Sequence, residues 1–91
     1  MTNIHIERTH NLGVDKARAQ VETLAQSLRD ELQADYAWNG NTLTFNRPGA
    51  SGTIDVGVDY IDVDIEIGMS LLLLRYAIEN SVNKRLDALL V

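Results

Sequence analysis

Apolar and polar residues alternate at the start of the chain. Ile4 and Ile6 fall on one side and His5 and Glu7 on the other, which predicts a short strand over Asn3–Thr9 with one buried face. Leu12-Gly13 interrupts it. From Val14 the apolar spacing changes to threes and fours: Val14, Ala17, Val21, Leu24, Leu28 and Leu32 form a stripe that predicts a helix over Val14–Ala34. Asp15 lies in its first turn, where the helix dipole favours an acid. Lys16, Arg18, Glu22, Gln26, Arg29 and Asp30 lie mostly off the stripe, so the helix is amphipathic and rests on an apolar surface.

The period then becomes two. Asn39-Gly40 is a hairpin signal, because both central residues of a type I′ turn need positive φ. A loop there pairs Trp38 with Asn41 and Tyr36 with Leu43, with Phe45 beyond them on the same face. Tyr36, Trp38, Leu43 and Phe45 thus share one side, while Thr42, Thr44 and Asn46 share the other. Pro48-Gly49 and Ser51-Gly52 read together as a corner, since proline removes a ladder donor and glycine admits unusual φ. Two more alternating strands follow, carrying Ile54, Val56 and Val58, then Ile61, Val63, Ile65 and Ile67. They are joined by a two-residue turn at Val58-Asp59 or Asp59-Tyr60.

Gly68 ends the last strand, and from Met69 the pattern turns helical. Leu71, Leu74, Ile78, Val82, Leu86 and Leu89 form its core stripe, and Leu72, Leu73, Tyr76 and Ala77 are surplus apolar residues beside it, with Leu90-Val91 at the end. The order is β-α-β-β-β-β-α, an α+β fold in a single domain spanning residues 1–91. Its expected architecture is an antiparallel sheet with both helices packed on one face and the other face open to water. The last four strands form a meander, and the first adds at an edge. The last strand is a candidate neighbour, a point the pattern leaves open.

Composition narrows the function classes. With 45% hydrophobic and 23% charged residues this is an ordinary globular chain. It contains no cysteine, which excludes disulfides and thiolate metal sites. A net charge of −5 without a Lys/Arg cluster argues against nucleic acid. The longest apolar run, Met69–Leu74 around Ser70, is far too short to span a bilayer. Met1–His10 has no basic start leading into an apolar run and so does not read as a signal peptide; a cytoplasmic location is expected.

Candidate chemistry is sparse. His5, Glu7 and His10 come nearest to a metal-ligand set, but a site needs three or four converging donors, so no metal or other cofactor is expected. His5 should face solvent and His10 should bond the turn into the first helix. Arg8 shares parity with Ile4 and Ile6 and points to the helix side, where Asp35 or Glu79 is a conceivable partner. Asp55, Asp62, Asp64 and Glu66, joined by Glu7 if the first strand is adjacent, make an acidic face. Like charges placed opposite one another do not stabilise a sheet. The face is either a docking surface for a basic partner or a cation, or simply a solvated face that discourages aggregation. Leu72, Leu73 and Tyr76 are the candidate interaction surface. Tyr36, Trp38 and Phe45 are the candidate lining of a pocket between sheet and helices.

An ordered set of residues along the chain carries a resemblance. It runs from Ile4-His5-Ile6-Glu7-Arg8, His10, Leu12-Gly13 and Ala17-Arg18 through Trp38-Asn39-Gly40, Leu43, Phe45, Pro48-Gly49, Ser51-Gly52 and Ile54-Asp55-Val56. It closes with Ile67-Gly68-Met69, Leu72–Leu74, Ile78-Glu79 and Leu86. Taken together they resemble the polyhydroxyalkanoic acid system family, small bacterial proteins encoded near genes for polyester granules. The stretch Leu71–Tyr76 departs from the family pattern in lacking a glycine just before Ile78. The resemblance implies a setting, polyhydroxyalkanoate metabolism, and no catalytic residues. The expected role is that of a non-enzymatic accessory protein contacting a granule surface, proteins of that system, or a second copy of itself. The alternative is a binder of, or an enzyme acting on, hydroxyacyl compounds, with Tyr36, Trp38 and Phe45 around the ligand.

Overall fold

The computed structural model describes residues 2–89, without the side chains of Thr2 and Leu89. The expected places of Leu89 in the stripe and of Leu90-Val91 lie outside the described residues. The element order is β1 (Thr2–Thr9), α1 (Gly13–Leu32), β2 (Asp35–Asn39), β3 (Thr42–Arg47), β4 (Ala50–Val56) and β5 (Tyr60–Ile67). A 3-10 segment, Met69–Leu74, then leads into α2 (Arg75–Leu89). The five strands form one antiparallel sheet in the order β1-β5-β4-β3-β2, so the first strand does lie beside the last.

The apolar sets share one face. Ile4 and Ile6, Leu43 and Phe45, Ile54 and Val56, and Ile61 through Ile67 join Ala17, Val21, Leu24 and Leu28 of α1 and Ile78, Val82 and Leu86 of α2 in one core. Helix α1 stops two residues before the expected end. Gln33 takes a left-handed conformation (φ 57°) and donates its N–H to the Arg29 carbonyl at 2.9 Å, closing the last turn. Helix α2 is tied to its neighbours by ions: Arg8 of β1 pairs with Asp87 and donates to Asn83 Oδ1 at 2.6 Å, and Arg85 pairs with Glu31 of α1. Arg8 thus faces the helices as its parity predicts, but its partners are Asp87 and Asn83 rather than Asp35 or Glu79.

The turns depart from the sequence expectation in instructive ways. The first hairpin closes on the pair Asn39–Thr42, with Trp38 opposite Leu43 and Tyr36 opposite Phe45. The loop is therefore Gly40-Asn41, not Asn39-Gly40, and the pairing is displaced by two residues from Trp38–Asn41. Gly40 has φ 63° while Asn41 is not left-handed, the pattern of a type II′ turn with glycine first. The displacement sets apolar side chains opposite apolar ones, which is worth more than the turn type alone.

Pro48-Gly49 is itself a two-residue turn (Gly49 φ 91°) closed by Arg47 opposite Ala50. Ser51-Gly52 therefore belongs to β4 and not to a corner. Gly52 sits opposite Phe45, whose ring fills the space a side chain would take. The last turn is Val58-Asp59, with the Gly57 N–H on the Tyr60 carbonyl at 2.9 Å.

The start of the second helix also differs. Gly68 donates to the Gly49 carbonyl at 2.8 Å, and Leu71 donates back to Gly68 at 3.2 Å, one turn of tight 3-10 winding. That winding holds Leu71 against Gly49 and leaves no residue of Met69–Leu74 buried. Leu74, expected in the core stripe, is 49% exposed.

Candidate contact surfaces and the polar clusters beside them

The sheet edge farthest from β1 is held to α1 by a polar cluster. Glu22 accepts from the Tyr36 hydroxyl at 2.6 Å, from Trp38 Nε1 at 2.9 Å and from Gln26 Nε2 at 2.9 Å. The Arg18 guanidinium lies 4.7 Å from the centre of the Trp38 ring. The Tyr36 hydrogen bond, followed by those of Trp38 and Gln26, holds the Glu22 carboxyl below its usual range, and the same bond pushes the Tyr36 phenol up.

Replacing Glu22 by Gln should destabilise the fold by about 1 kcal/mol, a charged hydrogen bond discounted for partial exposure. Because the folded-state value of Glu22 is depressed, its contribution is full above the ordinary glutamate range and fades as pH falls through the depressed value. Urea unfolding at a series of pH values should show the difference between wild type and Glu22→Gln shrinking on the acid side.

His10 is 6% exposed and bonds the turn into α1, as its position predicts. Its Nδ1 accepts from the Leu12 N–H at 3.1 Å, so the ring proton belongs on Nε2, which faces the Tyr60 carbonyl at 3.2 Å. The ring ties the start of α1 to the β4–β5 turn. His10→Leu, of similar size but without either bond, should cost about 1–3 kcal/mol in chemical denaturation.

On the open face, His5 and Glu7 project from β1, opposite Asp64 and Asp62 of β5. His10, the third member of the expected ligand set, is on the helix side and takes no part. In its place the register brings Asp62 and Asp64: His5 Nε2 lies 2.6 Å from Asp62 Oδ1 and 3.9 Å from Asp64 Oδ1. The Asp62 hydrogen bond, reinforced by its charge, raises the His5 pKa above the usual histidine value. Asp55 lies opposite Asp62 on the other side and accepts from the Thr42 hydroxyl at 2.6 Å.

Tyr36 and Trp38, expected to line a pocket, are committed to Glu22. Phe45 does border an apolar cleft, with Leu28, Leu32, Leu71 and Leu74, but its interior volume is about 30 Å³. Ligand sites measure several hundred. A depression of about 440 Å³ lies on the open face among Asn3, Thr44, Thr53 and Asp64, but it is open to solvent rather than an enclosure.

The candidate interaction residues are in the open. Leu73 is 98% exposed, Tyr76 73% and Leu72 43%, and Met69 (84%) and Leu74 join them. The sequence pattern placed Leu74 in the core and left Met69 unassigned, because a continuous α-helix was expected where the chain winds as 3-10.

These features define a class: an α+β protein with one covered sheet face, one acidic open face, and an apolar edge where the chain enters its last helix. A family model described as "Putative polyhydroxyalkanoic acid system protein" matches residues 4–90, and the chain belongs to that family. Neither the curated proteins nor the solved structures gave a match. Among the described residues no helix is long and apolar enough to cross a membrane.

Proposed function

We propose that this protein is a non-enzymatic accessory factor of polyhydroxyalkanoate metabolism, working in the cytoplasm by contact with the polyester granule surface or with the proteins on it. The observation that carries this reading is the apolar edge formed by Met69, Leu72, Leu73, Leu74 and Tyr76. Five large apolar side chains within eight residues stand in water, whereas elsewhere among the described residues only Val58 and Tyr60, at the β4–β5 turn, are large apolar side chains so exposed. Scattered exposed leucines are ordinary, whereas a contiguous group marks a contact site. Two further groups are held in structural bonds: both ring nitrogens of His10 meet backbone, and Glu22 is held by three donors.

The test is fractionation of granule-forming cells that carry a tagged copy. The tag should sediment with the granules or be recovered with their enzymes. A tag found wholly in the soluble fraction and free of those enzymes would rule the reading out. Light scattering on the purified protein distinguishes this reading from a dimerising module that uses the same edge. A monomer mass for both wild type and Leu72→Glu/Leu73→Glu is expected, and a wild-type dimer that falls to monomer in the double variant would favour the module instead.

A further inference from the structure

We infer that His5, Asp62 and Asp64 form a binding site for a divalent transition-metal ion, Zn2+ in the first instance, on the open sheet face. Three donor atoms from two adjacent strands, one imidazole nitrogen and two carboxylate oxygens, lie within 4.8 Å of one another. The backbone register places them: His5 is directly opposite Asp64, and Asp62 is two residues along on the same face. Mixed nitrogen and oxygen donors suit Zn2+, whereas Mg2+ and Ca2+ favour oxygen alone.

The separations are close to those a bound ion requires. Ligands about 2.0–2.2 Å from a tetrahedral Zn2+ stand about 3.3–3.6 Å apart. The 2.6 Å His5–Asp62 contact must widen and the 3.9 Å His5–Asp64 contact must narrow, each by under about 1 Å. All three side chains are exposed enough to make that adjustment by small rotations.

The charge balance of the face is a separate observation in favour. Glu7, Asp62 and Asp55 stand in a row across three neighbouring strands, like charges directly opposite one another. By register, Arg8 and Arg47 turn to the helix side, so among the described strand residues His5 is the one group on this face that can carry positive charge. An ion held by His5, Asp62 and Asp64 would offset a repulsion that the His5–Asp62 contact and the Thr42–Asp55 hydrogen bond relieve only in part. Glu7, beside His5 and opposite Asp62, is a further carboxylate within the same square of residues.

The site is on a different face from the apolar edge and stands or falls independently of it. Calorimetric titration of chelator-treated full-length protein with ZnCl2 at neutral pH tests it. One ion per chain with a micromolar dissociation constant is expected, weakened at least tenfold by His5→Gln and by Asp64→Asn. Asp55→Asn, on the same face but outside the ligand set, should stay within about twofold of wild type. The substituted side chains are on the open face, so circular dichroism should be unchanged in each. Absence of Zn2+ binding by wild type, or binding that persists undiminished in His5→Gln, would overturn the assignment.

Discussion

Gly52→Ala should be among the most damaging single substitutions in the sheet, costing about 3 kcal/mol and lowering the melting temperature by on the order of 15 °C. A Cβ at this position would press on the Asp64 backbone carbonyl oxygen and stand 2.6 Å from Phe45 Cζ. The carbonyl belongs to a central strand hydrogen-bonded on both sides, so it has nowhere to retreat. Phe45 is buried in the core and cannot leave without opening a cavity. Gly57→Ala is the natural control. The three atoms nearest its Cβ all belong to the ring of Tyr60, a residue that is 43% exposed and can swing towards solvent. That change should cost less than about 1 kcal/mol. Thermal unfolding of the two variants side by side checks the difference. Near-equal losses would show that the Gly52–Phe45 contact is not the constraint described.

The second large effect concerns contact rather than stability. Leu72→Glu/Leu73→Glu should reduce partition to granules by one to two orders of magnitude. Burying a leucine is worth roughly 1.5–3 kcal/mol, and each factor of ten in affinity corresponds to about 1.4 kcal/mol. Even partial burial of two leucines thus accounts for the loss, before any charge is brought to an apolar surface. Leu73 is almost wholly exposed and Leu72 nearly half, so the fold should lose less than about 1 kcal/mol. An unchanged denaturation midpoint with lost partition would separate a contact role from a structural one. Full partition in the double variant would move the contact site elsewhere on the molecule.

Much of the fold was legible because its signals are local and repeated. The α1 stripe and the alternation of β5 each repeat one period several times. Ala17, Val21, Leu24 and Leu28 and all four β5 positions lie in the core as expected, Leu32 packs at its margin, and Val14 at the helix start is only half-buried outside it. The same parity argument put Tyr36, Trp38, Leu43 and Phe45 on one face even though the hairpin register itself was displaced. What failed was local chemistry read without its partner strand. Gly40 serves a II′ turn because pairing Trp38 with Leu43 outweighs the preference of Asn-Gly for I′. Gly52 looked like a corner residue because nothing in the chain near it announces Phe45.

The site residues divide along the same line. Leu72, Leu73 and Tyr76 could be named from surplus alone, since a helix on a sheet buries only one stripe. Leu74 could not, because its exposure follows from the 3-10 winding set by the Gly68–Gly49 hydrogen bond. Glu22 carries no sequence signal. It is one of several polar residues beside the α1 stripe, and only the position of the edge strand selects it for Tyr36 and Trp38. The His5–Asp62–Asp64 cluster depends on β1 lying beside β5, the one arrangement that the hydrophobic pattern left open.

The most direct measurement of the central claim is binding of the purified protein to protein-free polyhydroxyalkanoate particles and to particles coated with granule proteins, each compared with Leu72→Glu/Leu73→Glu. The account predicts saturable binding of the wild-type protein to at least one of the two preparations, and its loss in the double variant. Binding to neither, or equal binding of both proteins to the same particles, would contradict it.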